Sequence, residues 1–480
     1  MGTSDFDAGA IRRGTIADRR ARWGVAGVAA GALVLYLLIA FGGFRYQRVG
    51  MDLGIFDQAL QAYSRLQTPY IPIKAQEPFN ILGDHFSPII ILLAPLYRLF
   101  PHALTLLCAQ AVLFAGSVWF VGQYACRRGL GRASYLVAAG FAVSYGVLSA
   151  VTYDFHEVAF GLPILLWALW AALERRDWHL VGACAAMTLV KEDMPMYIAG
   201  LALVLFFTGR KLFGICLGLA SVAVTLLLIY LVIPYFSYWG HYAYIGSGAR
   251  GLRSVGAMAY AFAAHLFSWR GLVFLLLIAA TAGLGLKSKL MLVLLPTVIF
   301  RFMANDQVYL GFYFHYGVLP AAVCFMAMID GWRRWGSGLG RLSGDALIRV
   351  QKWLLAAGAA LGVVGSMGWM SLYGLVGHSQ MIADRAAVQA LIPDRADVAA
   401  DVYLVPQIVD RTKAQVAYQS WTDETGAPIR SDWVFLDRQS RAFFNHIDPW
   451  VPDLIEELTA EGRYELVAER GRYVLLRLAT

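Results

Sequence analysis

The chain has 480 residues, of which 59% are hydrophobic and 15% are charged. A soluble globular protein is closer to half apolar and a quarter charged, so this composition excludes that class. The formal net charge of +8 does not indicate nucleic-acid binding, because the basic residues cluster in short loops between apolar runs, as cytoplasmic loops of membrane proteins require.

The apolar runs approach the roughly 20 residues that a helix needs to cross a bilayer, and they predict about eleven membrane-spanning helices. Basic residues from Arg12 to Arg22 precede the first run, which places the N-terminus in the cytoplasm. The first run has no clear cleavage site behind it, so it is expected to remain as an anchor. The predicted spans are 23–44, 103–125, 133–151, 158–173, 179–190, 194–207, 212–235, 271–286, 290–300, 317–329 and 353–373.

Every predicted inner loop carries Lys or Arg, so the C-terminus is expected outside. Residues 51–67 predict an amphipathic helix on the outer surface, and 88–100 predict a short segment at the membrane interface. The predicted spans at 179–190 and 194–207 are short, and shallow helices of that kind often line a polar cavity. The five cysteines lie in or beside apolar runs without metal-ligand spacing, which indicates small buried side chains.

The composition changes at about residue 374. The remaining tail has 16 acidic and 11 basic residues, whereas the rest of the chain is strongly basic. Alternating patterns predict strands at 398–405, 433–436 and 473–478, and a helix at 452–461. We therefore expect a cytoplasmic segment at 1–22, a transmembrane catalytic domain with outer-face loops at 23–373, and an extracytoplasmic α/β domain at 374–480.

Two carboxylates, Asp52 and Asp57, follow the first predicted span directly. Charge at the mouth of a membrane domain is costly unless it has a partner or a function. Asp52 lies between Gly50 and Gly54 among apolar side chains, and we favour it as a functional residue. Asp57 lies five residues later on a different helical face. One of the pair could face a cavity while the other stabilises the loop or contacts substrate.

The predicted topology brings ionisable residues from several loops to the outer face that carries Asp52, with aromatic residues among them. Aromatic faces suit sugar rings, Arg and Lys suit phosphate oxygens, and carboxylates suit general-base chemistry or a divalent metal. The candidate substrate-binding residues are Asp57, His85, Asp154, His156, Glu157, Lys191, Glu192, Asp193, Arg250, Arg253, Arg301 and His315.

Each candidate also has a structural interpretation. Aromatic residues at loop ends commonly form interfacial belts, and Arg250 and Arg253 could contact lipid head groups. The run Lys191-Glu192-Asp193 could be an ion-paired turn, and a single histidine is often a hydrogen-bonded structural residue.

Several segments together resemble a family of bacterial membrane proteins, domain-of-unknown-function family 2079. The resemblance covers nearly the whole chain, but the family name carries no activity. The segments are Asp52-Leu53-Gly54-Ile55-Phe56-Asp57-Gln58, Gly83-Asp84-His85-Phe86-Ser87-Pro88, Tyr153-Asp154-Phe155-His156, Lys191-Glu192-Asp193 and the tail run 392–400.

The chain is also similar, more distantly, to the class C glycosyltransferases. These polytopic enzymes take sugars from polyprenyl-phosphate carriers on the outer face, and a carboxylate of their first outer loop commonly serves as catalytic base. Asp52 matches that placement. The resemblance implies an all-α polytopic domain of about eleven helices with N-in and C-out topology, a small C-terminal α/β domain, and a location in the bacterial inner membrane.

The similarity also implies that the protein moves a sugar from a polyprenyl-phosphate donor to a cell-envelope acceptor, which could be a glycan, a lipid or a protein. No cofactor is implied with certainty, and Glu192 and Asp193 could bind the acceptor or a divalent metal. The chain lacks the diagnostic motifs of the oligosaccharyltransferase branch, so metal dependence and acceptor type stay open.

Two other functions remain as alternatives. A transporter or flippase of lipid-linked glycans would favour charges near the membrane midplane and internal repeats, and neither is evident in the sequence. A non-catalytic envelope assembly protein would tolerate substitution of the outer-loop carboxylates but would not tolerate loss of the tail.

Overall fold

The computed structural model describes residues 4–74, 78–244, 255–279, 281, 283–303, 314–336, 353, 379–417, 431–440, 451–460 and 462–479. These residues form a mostly helical body and a small five-stranded sheet near the C-terminus. The α-helices, in chain order, are α1 Ser4–Arg45, α2 Met51–Ser64, α3 Ala94–Leu99, α4 Leu104–Arg127, α5 Ala133–Ala142, α6 Tyr145–Val151, α7 Val158–Leu173, α8 Asp177–Met187, α9 Pro195–Phe207, α10 Lys211–Leu227, α11 Ile233–Phe236, α12 Val255–Leu266, α13 Trp269–Ala279, α14 Leu295–Met303, α15 Val318–Gly336, α16 Ser379–Gln389 and α17 Val451–Ala460.

Within the described residues, four helical segments are long and apolar enough to cross a membrane. They are Arg19–Arg45, Leu104–Arg127, Lys211–Phe236 and Phe314–Trp332, and the bent pair α5 and α6 makes a fifth if it counts as one span. The figure of about eleven spans is therefore not confirmed. Its last member, 353–373, lies outside the described residues except for Trp353.

Several predicted spans correspond to helices that are shorter than a bilayer. The helix α7 has 16 residues, α9 has 13 and α8 has 11. At 1.5 Å per residue, α7 is about 24 Å long, less than the roughly 30 Å of a hydrocarbon core. The short helices begin or end at charged turns, and these turns meet in the candidate site described below.

The segment predicted as an amphipathic helix on the outer surface is α2, but it is buried rather than exposed. Ten of its fourteen residues are buried. The tail covers it: Gln58 Nε2 donates to Ala414 O at 2.7 Å, and Gln61 Nε2 donates to Val409 O at 2.8 Å. The predicted helix is therefore present, and its placement on the outer face of the membrane stays a prediction. The sequence does not reveal that the tail folds back over this helix.

The tail contains a sheet with the strand order β2-β1-β3-β5-β4. Strands β2, β1 and β3 are parallel, whereas β5 and β4 add as antiparallel neighbours. The strands are β1 Asp397–Ala400, β2 Lys413–Val416, β3 Trp433–Asp437, β4 Tyr464–Arg470 and β5 Tyr473–Leu478. The sequence predicted β1, β3, β5 and α17, and it missed β2 and β4. Strand β1 is shorter than predicted because a turn begins at Asp401, whose carbonyl accepts from Leu404 N.

The tail is attached to the end of the first span. Helix α1 is followed by a turn in which Arg48 N donates to Gly43 O at 2.8 Å. Its last carbonyls accept from the tail, because Gln407 Nε2 donates to Phe44 O at 2.9 Å and Arg385 Nη1 donates to Arg45 O at 3.2 Å. Helix ends leave such carbonyls without helical partners, and the tail supplies a donor to each of them, while Phe44 O also accepts from Gln47 N at 3.3 Å.

The buried carboxyl of Asp57 is expected to make the packing of α2 dependent on pH. Its carboxyl is fully buried, accepts from Gln61 Nε2 at 3.2 Å and faces Tyr97. Burial raises the pKa of Asp57 to about 7, with a smaller contribution from Asp410, although Tyr97 and Gln61 oppose this. The folded-state pKa lies above the unfolded value near 4, so the stability from this group is complete below pH 4 and is lost as the pH rises through 7.

We expect Asp57→Asn to remove most of this pH dependence. One unit of pKa difference is worth about 1.4 kcal/mol, so at pH 8 the variant should be more stable than the wild type by a few kcal/mol, with little difference near pH 4. Thermal unfolding in detergent from pH 4 to pH 8.5 measures this. Asp432→Asn, at an exposed carboxylate, is the control. Parallel wild-type and Asp57→Asn curves would contradict the prediction.

Candidate active site

Asp52 lies in the first turn of α2 and is bound by two side chains from the segment between α6 and α7. The Tyr153 hydroxyl donates to Asp52 Oδ2 at 2.9 Å, and His156 Nε2 lies 3.2 Å from the same oxygen. The Asp52 side chain is 22% exposed, so an incoming molecule can reach it. Burial works to raise its pKa, but the bond and charge of His156 and the bond from Tyr153 outweigh burial and hold the pKa of Asp52 below its usual range.

Asp154 caps the helix that carries Asp52. Its Oδ1 accepts from Gly50 N at 2.7 Å, and its Oδ2 accepts from Leu53 N at 3.2 Å. These amides lie at the N-terminus of α2, where backbone donors lack helical partners. Burial, together with the charge of Asp52, raises the pKa of Asp154 to about 7. Asp154 is fully enclosed, so the structure places it as a support for Asp52.

His156 links Asp52 to a buried ion pair. Its Nδ1 lies 3.5 Å from Glu157 Oε2, and Glu157 Oε1 lies 2.7 Å from Lys191 Nζ. Burial acts to lower the pKa of His156, but the bonds to Asp52 and Glu157 overcome it and raise that pKa to about 9. Burial acts against ionisation of Glu157 as well, yet the charge of Lys191 holds the pKa of Glu157 well below its usual range. The result is a row of alternating charges.

Glu192 is fully engaged by neighbouring side chains. His85 Nδ1 lies 2.6 Å from Glu192 Oε1, Phe86 N donates to Oε2 at 3.1 Å, and the Tyr242 hydroxyl donates to Oε1 at 2.9 Å. Burial opposes ionisation, but His85 and the other partners hold the pKa of Glu192 below its usual range. This geometry matches the ion-paired turn that the sequence left open for this segment.

Asp84 forms a similar pair beside it. The carboxylate bonds to Lys74 Nζ and accepts from the Tyr244 hydroxyl at 2.9 Å, and the Tyr244 ring stacks on His85 with centroids 4.8 Å apart. The preceding Gly83 has no room for a side chain, because a Cβ there would lie 2.5 Å from the backbone carbon of Phe236. This close approach explains the glycine before Asp84 and His85.

A small cavity lies next to the row of charges. Lys191, Asp193, Arg301, His315 and Tyr316 are among the residues that line it, and it encloses about 10 Å³, room for about one water molecule. In the described part of the chain, both ring nitrogens of His315 and Asp193 Oδ1 have no hydrogen-bond partner. Burial raises the pKa of Asp193, although Lys191 opposes this. The cavity therefore presents buried polar groups that a bound oxygen atom could satisfy.

The ring of His315 also stacks on that of His156, with centroids 3.6 Å apart. His156 therefore contacts both His315, which lies just before α15, and Asp52 in the first turn of α2. The guanidinium of Arg301 lies over the ring of Tyr316, 4.6 Å from its centroid.

The structure brings most of the predicted site residues together and separates one. Asp57 points away from the cluster, toward Tyr97 on the other side of α2. Arg250 and Arg253 lie outside the described residues. The residues that surround Asp52 or lie in the adjoining cavity and ion pairs are His85, Asp154, His156, Glu157, Lys191, Glu192, Asp193, Arg301 and His315.

Sequence reasoning missed Lys74 and did not foresee the part that the Tyr153 hydroxyl plays. A signal existed for Lys74, because a lysine in a predicted outer loop runs against the positive-inside rule and suggests a partner. Tyr153 carried no signal beyond its aromatic character. Among the residues that the structure describes, no group of three or more His, Cys, Asp or Glu side chains could hold a metal ion.

Comparisons with known proteins agree with this architecture. Among solved structures, the fold is similar to that of ArnT from Cupriavidus metallidurans, crystallised bound to undecaprenyl phosphate. The TM-score is 0.50 at 13% sequence identity, with 93% of this chain and 98% of that chain covered. A search of curated proteins found no significant match.

At this identity the likeness to ArnT, a class C glycosyltransferase, concerns the fold alone. A family model described as "Predicted membrane protein (DUF2079)" matches residues 45–475, which is most of the chain. This range includes the Asp52 helix, the charged turns around it and nearly the whole tail. The chain therefore belongs to the DUF2079 family of membrane proteins.

Proposed function

We propose that this protein is a membrane glycosyltransferase in which Asp52 is the catalytic base. The observation that carries the proposal is the Asp52 carboxylate itself. It lies at the start of a buried helix, is partly exposed, and is kept ionised by His156 and Tyr153. The ArnT-like fold supports a polyprenyl-phosphate-linked sugar as the donor. The site would face the outside of a bacterial inner membrane and serve a cell-envelope acceptor.

The reaction requires one base. Asp52 would take the proton of an acceptor hydroxyl while that oxygen forms a bond to the anomeric carbon of the donor. The bond from the anomeric carbon to the phosphate oxygen breaks, and the polyprenyl phosphate leaves with the electron pair. The transition state has oxocarbenium character, as in glycoside hydrolysis. His156 would keep Asp52 oriented and ionised until the proton arrives.

Arg301 would meet the charge of the leaving phosphate. Arg301 and Lys191 both line the small cavity, and Lys191 Nζ also pairs with Glu157 Oε1 at 2.7 Å. Asp193 lines the same cavity, and burial raises its pKa, which shifts the carboxyl toward the protonated form that would donate a hydrogen bond to a phosphate oxygen. Cations and donors placed where charge develops are the largest source of stabilisation in such transfers.

An apolar groove suits the lipid tail of the donor. It encloses about 450 Å³, and Phe274, Ile278, Leu295 and Val298 are among its walls. The last two belong to α14, which carries Arg301 one turn beyond Val298, or about 5 Å along the axis. A lipid in this groove would extend along α14 with its phosphate toward Arg301.

We expect Asp52→Asn to lower transfer strongly. Loss of a general base costs roughly 10² to 10⁴ in kcat, while the isosteric amide should preserve folding and donor binding. Incubating purified protein with a panel of polyprenyl-phosphate sugars, and following both donor cleavage and product, measures this. The matched control is Asp57→Asn, the same change on the opposite side of the same helix, which should retain transfer. Wild-type activity in Asp52→Asn would show that Asp52 is not the catalytic base.

The same donors, tested with the protein in proteoliposomes, separate the competing functions. A flippase would move the donor across the proteoliposome membrane without cleaving it. An assembly protein would show neither activity, and its cellular function would survive Asp52→Asn but not deletion of the tail.

The pH profile tests the part assigned to His156. Burial raises the pKa of Asp52, and the positive charge of His156 lowers it. The His156→Gln variant removes that charge, so the pKa of Asp52 should rise. The acid limb of kcat/KM should then move to higher pH by roughly one to three units, the range that an opposite charge produces. His85→Gln, which changes a histidine paired with Glu192 instead, should leave that limb in place. An unmoved acid limb in His156→Gln would show that His156 does not control Asp52.

The groove assignment predicts a defect in donor binding. Leu295 is 44% exposed in the groove, so Leu295→Trp should fit the fold yet obstruct the lipid. We expect a KM for the lipid donor higher by roughly tenfold, equivalent to about 1.4 kcal/mol, with little change in kcat. Phe300→Trp is the control, because Phe300 is similarly exposed on α14 but does not line the groove. Equal KM values in the two variants would argue against this placement of the lipid.

A further inference from the structure

The tail sheet has a cavity that the site around Asp52 does not use. The parallel strands β1 and β3 end side by side at Ala400 and Asp437, and a cavity of about 230 Å³ lies beyond their ends. In sheets of this kind, ligands bind outside the carboxyl ends of the parallel strands. The lining includes Gln47, Arg48, Tyr403, Asp437, Ser440 and Arg472.

Two buried polar atoms of the lining have no hydrogen-bond partner among the residues that the structure describes. Ser440 is 6% exposed, and its hydroxyl has no hydrogen-bond partner in the described part of the chain. The same holds for Gln47 Nε2. Buried polar atoms in native structures are ordinarily hydrogen-bonded, and exceptions call for an explanation such as a missing ligand or water. A ligand in this cavity would find a hydroxyl and an amide donor available.

The backbone at Gln47 supports the same conclusion. Gln47 has φ of +53° at the turn that ends α1, in the left-handed region where helices commonly place glycine. A side chain at such a position carries a conformational cost, and strained residues of this kind cluster at functional sites. The Tyr473 hydroxyl donates to Gln47 Oε1, which orients the amide and leaves its nitrogen for the cavity.

The charge of the lining favours an anion. Among the described residues, the lining contains Arg48, Arg472 and one carboxylate, Asp437. Asp437 accepts from Arg472 Nε at 2.5 Å, so the lining carries one positive charge in excess. Arginine in this setting recognises carboxylate or phosphate groups through paired hydrogen bonds. Tyr46 and Tyr403 also line the cavity, and aromatic side chains suit contact with a sugar ring.

We propose that this cavity binds an acidic sugar unit, a monosaccharide that carries a carboxylate or a phosphate. Arg48 precedes Asp52 by four residues, so their Cα atoms lie within about 14 Å, the length of that chain fully extended. A glycan held at the cavity could therefore extend to Asp52. The assignment of this unit to the acceptor rests on the proposed transferase function, whereas the binding of an acidic sugar does not.

Calorimetric titration of the full chain in lipid nanodiscs tests the binding. The probes are glucuronate and glucose 6-phosphate, compared with glucose and inorganic phosphate. At least one acidic sugar should bind roughly tenfold or more tightly than either glucose or inorganic phosphate, because charged hydrogen bonds and sugar contacts both contribute. Absence of binding, equal binding of glucose, or equal binding of inorganic phosphate would each overturn the proposal.

Three variants locate the bound sugar. Gln47→Gly keeps a residue suited to the helix end but removes the amide, and Ser440→Ala removes the buried hydroxyl; each should weaken binding several-fold. Arg438→Ala is the matched control, because Arg438 follows Asp437 directly but pairs with Glu469 on the surface and does not line the cavity. Unchanged binding in Gln47→Gly and Ser440→Ala, or an equal loss in Arg438→Ala, would place the sugar elsewhere.

The Asp52→Asn variant separates this proposal from the proposed function. It should bind the acidic sugar as the wild type does while failing to transfer. Binding in a wild-type protein that transfers no sugar would retain the cavity assignment and remove the transferase. Transfer by a protein that binds no acidic sugar would retain the transferase and remove the cavity assignment.

Discussion

The cap that Asp154 places on the N-terminus of α2 is the interaction on which the candidate site depends. Its two carboxylate oxygens bind Gly50 N and Leu53 N, so they hold the backbone on both sides of Asp52. The same short segment supplies Tyr153 and His156, which bind the Asp52 carboxylate directly. One segment of chain thus fixes both the helix that carries the candidate base and the side chain of that base.

Burial sets the character of the whole site. Charges removed from water need partners, and here Glu157 with Lys191, Asp84 with Lys74, and Glu192 with His85 supply them. These pairs leave few groups for a ligand. Asp52 is partly exposed, while His315 and Asp193 retain polar atoms without partners in the described chain. Electrostatic preorganisation requires charges that are fixed in place before a ligand binds, and these ion pairs fix them.

The tail is part of this arrangement as well as a separate sheet. It covers α2 through Gln58 and Gln61, and it caps the end of α1 through Gln407 and Arg385. Its cavity opens beside the loop between these two helices. The tail and Asp52 therefore share one short connection, residues 46–50, which explains how a domain with no catalytic motif of its own can lie close to the site.

Composition and charge pattern were sufficient to predict a helical membrane protein with a small C-terminal α/β domain, because apolar length and strand alternation are local properties. Asp52 also stood out locally, as a charge between glycines behind a span. The number of spans could not be predicted from the sequence, because apolar runs such as 179–190 form short helices. The helix in this run begins at an exposed charged turn and ends just before the buried Lys191. Strand β4 was missed because it lacks a clear alternating pattern, and β2 because its alternation extends over only four residues.

The sequence by itself determined which residues carry charge near the membrane and that a carboxylate follows the first span. Only the tertiary structure decided which of those carboxylates lies in the candidate site, which lies outside it and which supports it. Asp52 faces Tyr153 and His156, Asp57 turns away toward Tyr97, and Asp154 becomes a helix cap. The physical reason is that the pKa and accessibility of a carboxyl depend on burial and on partners about a hundred residues away in the chain, and no local pattern records those contacts.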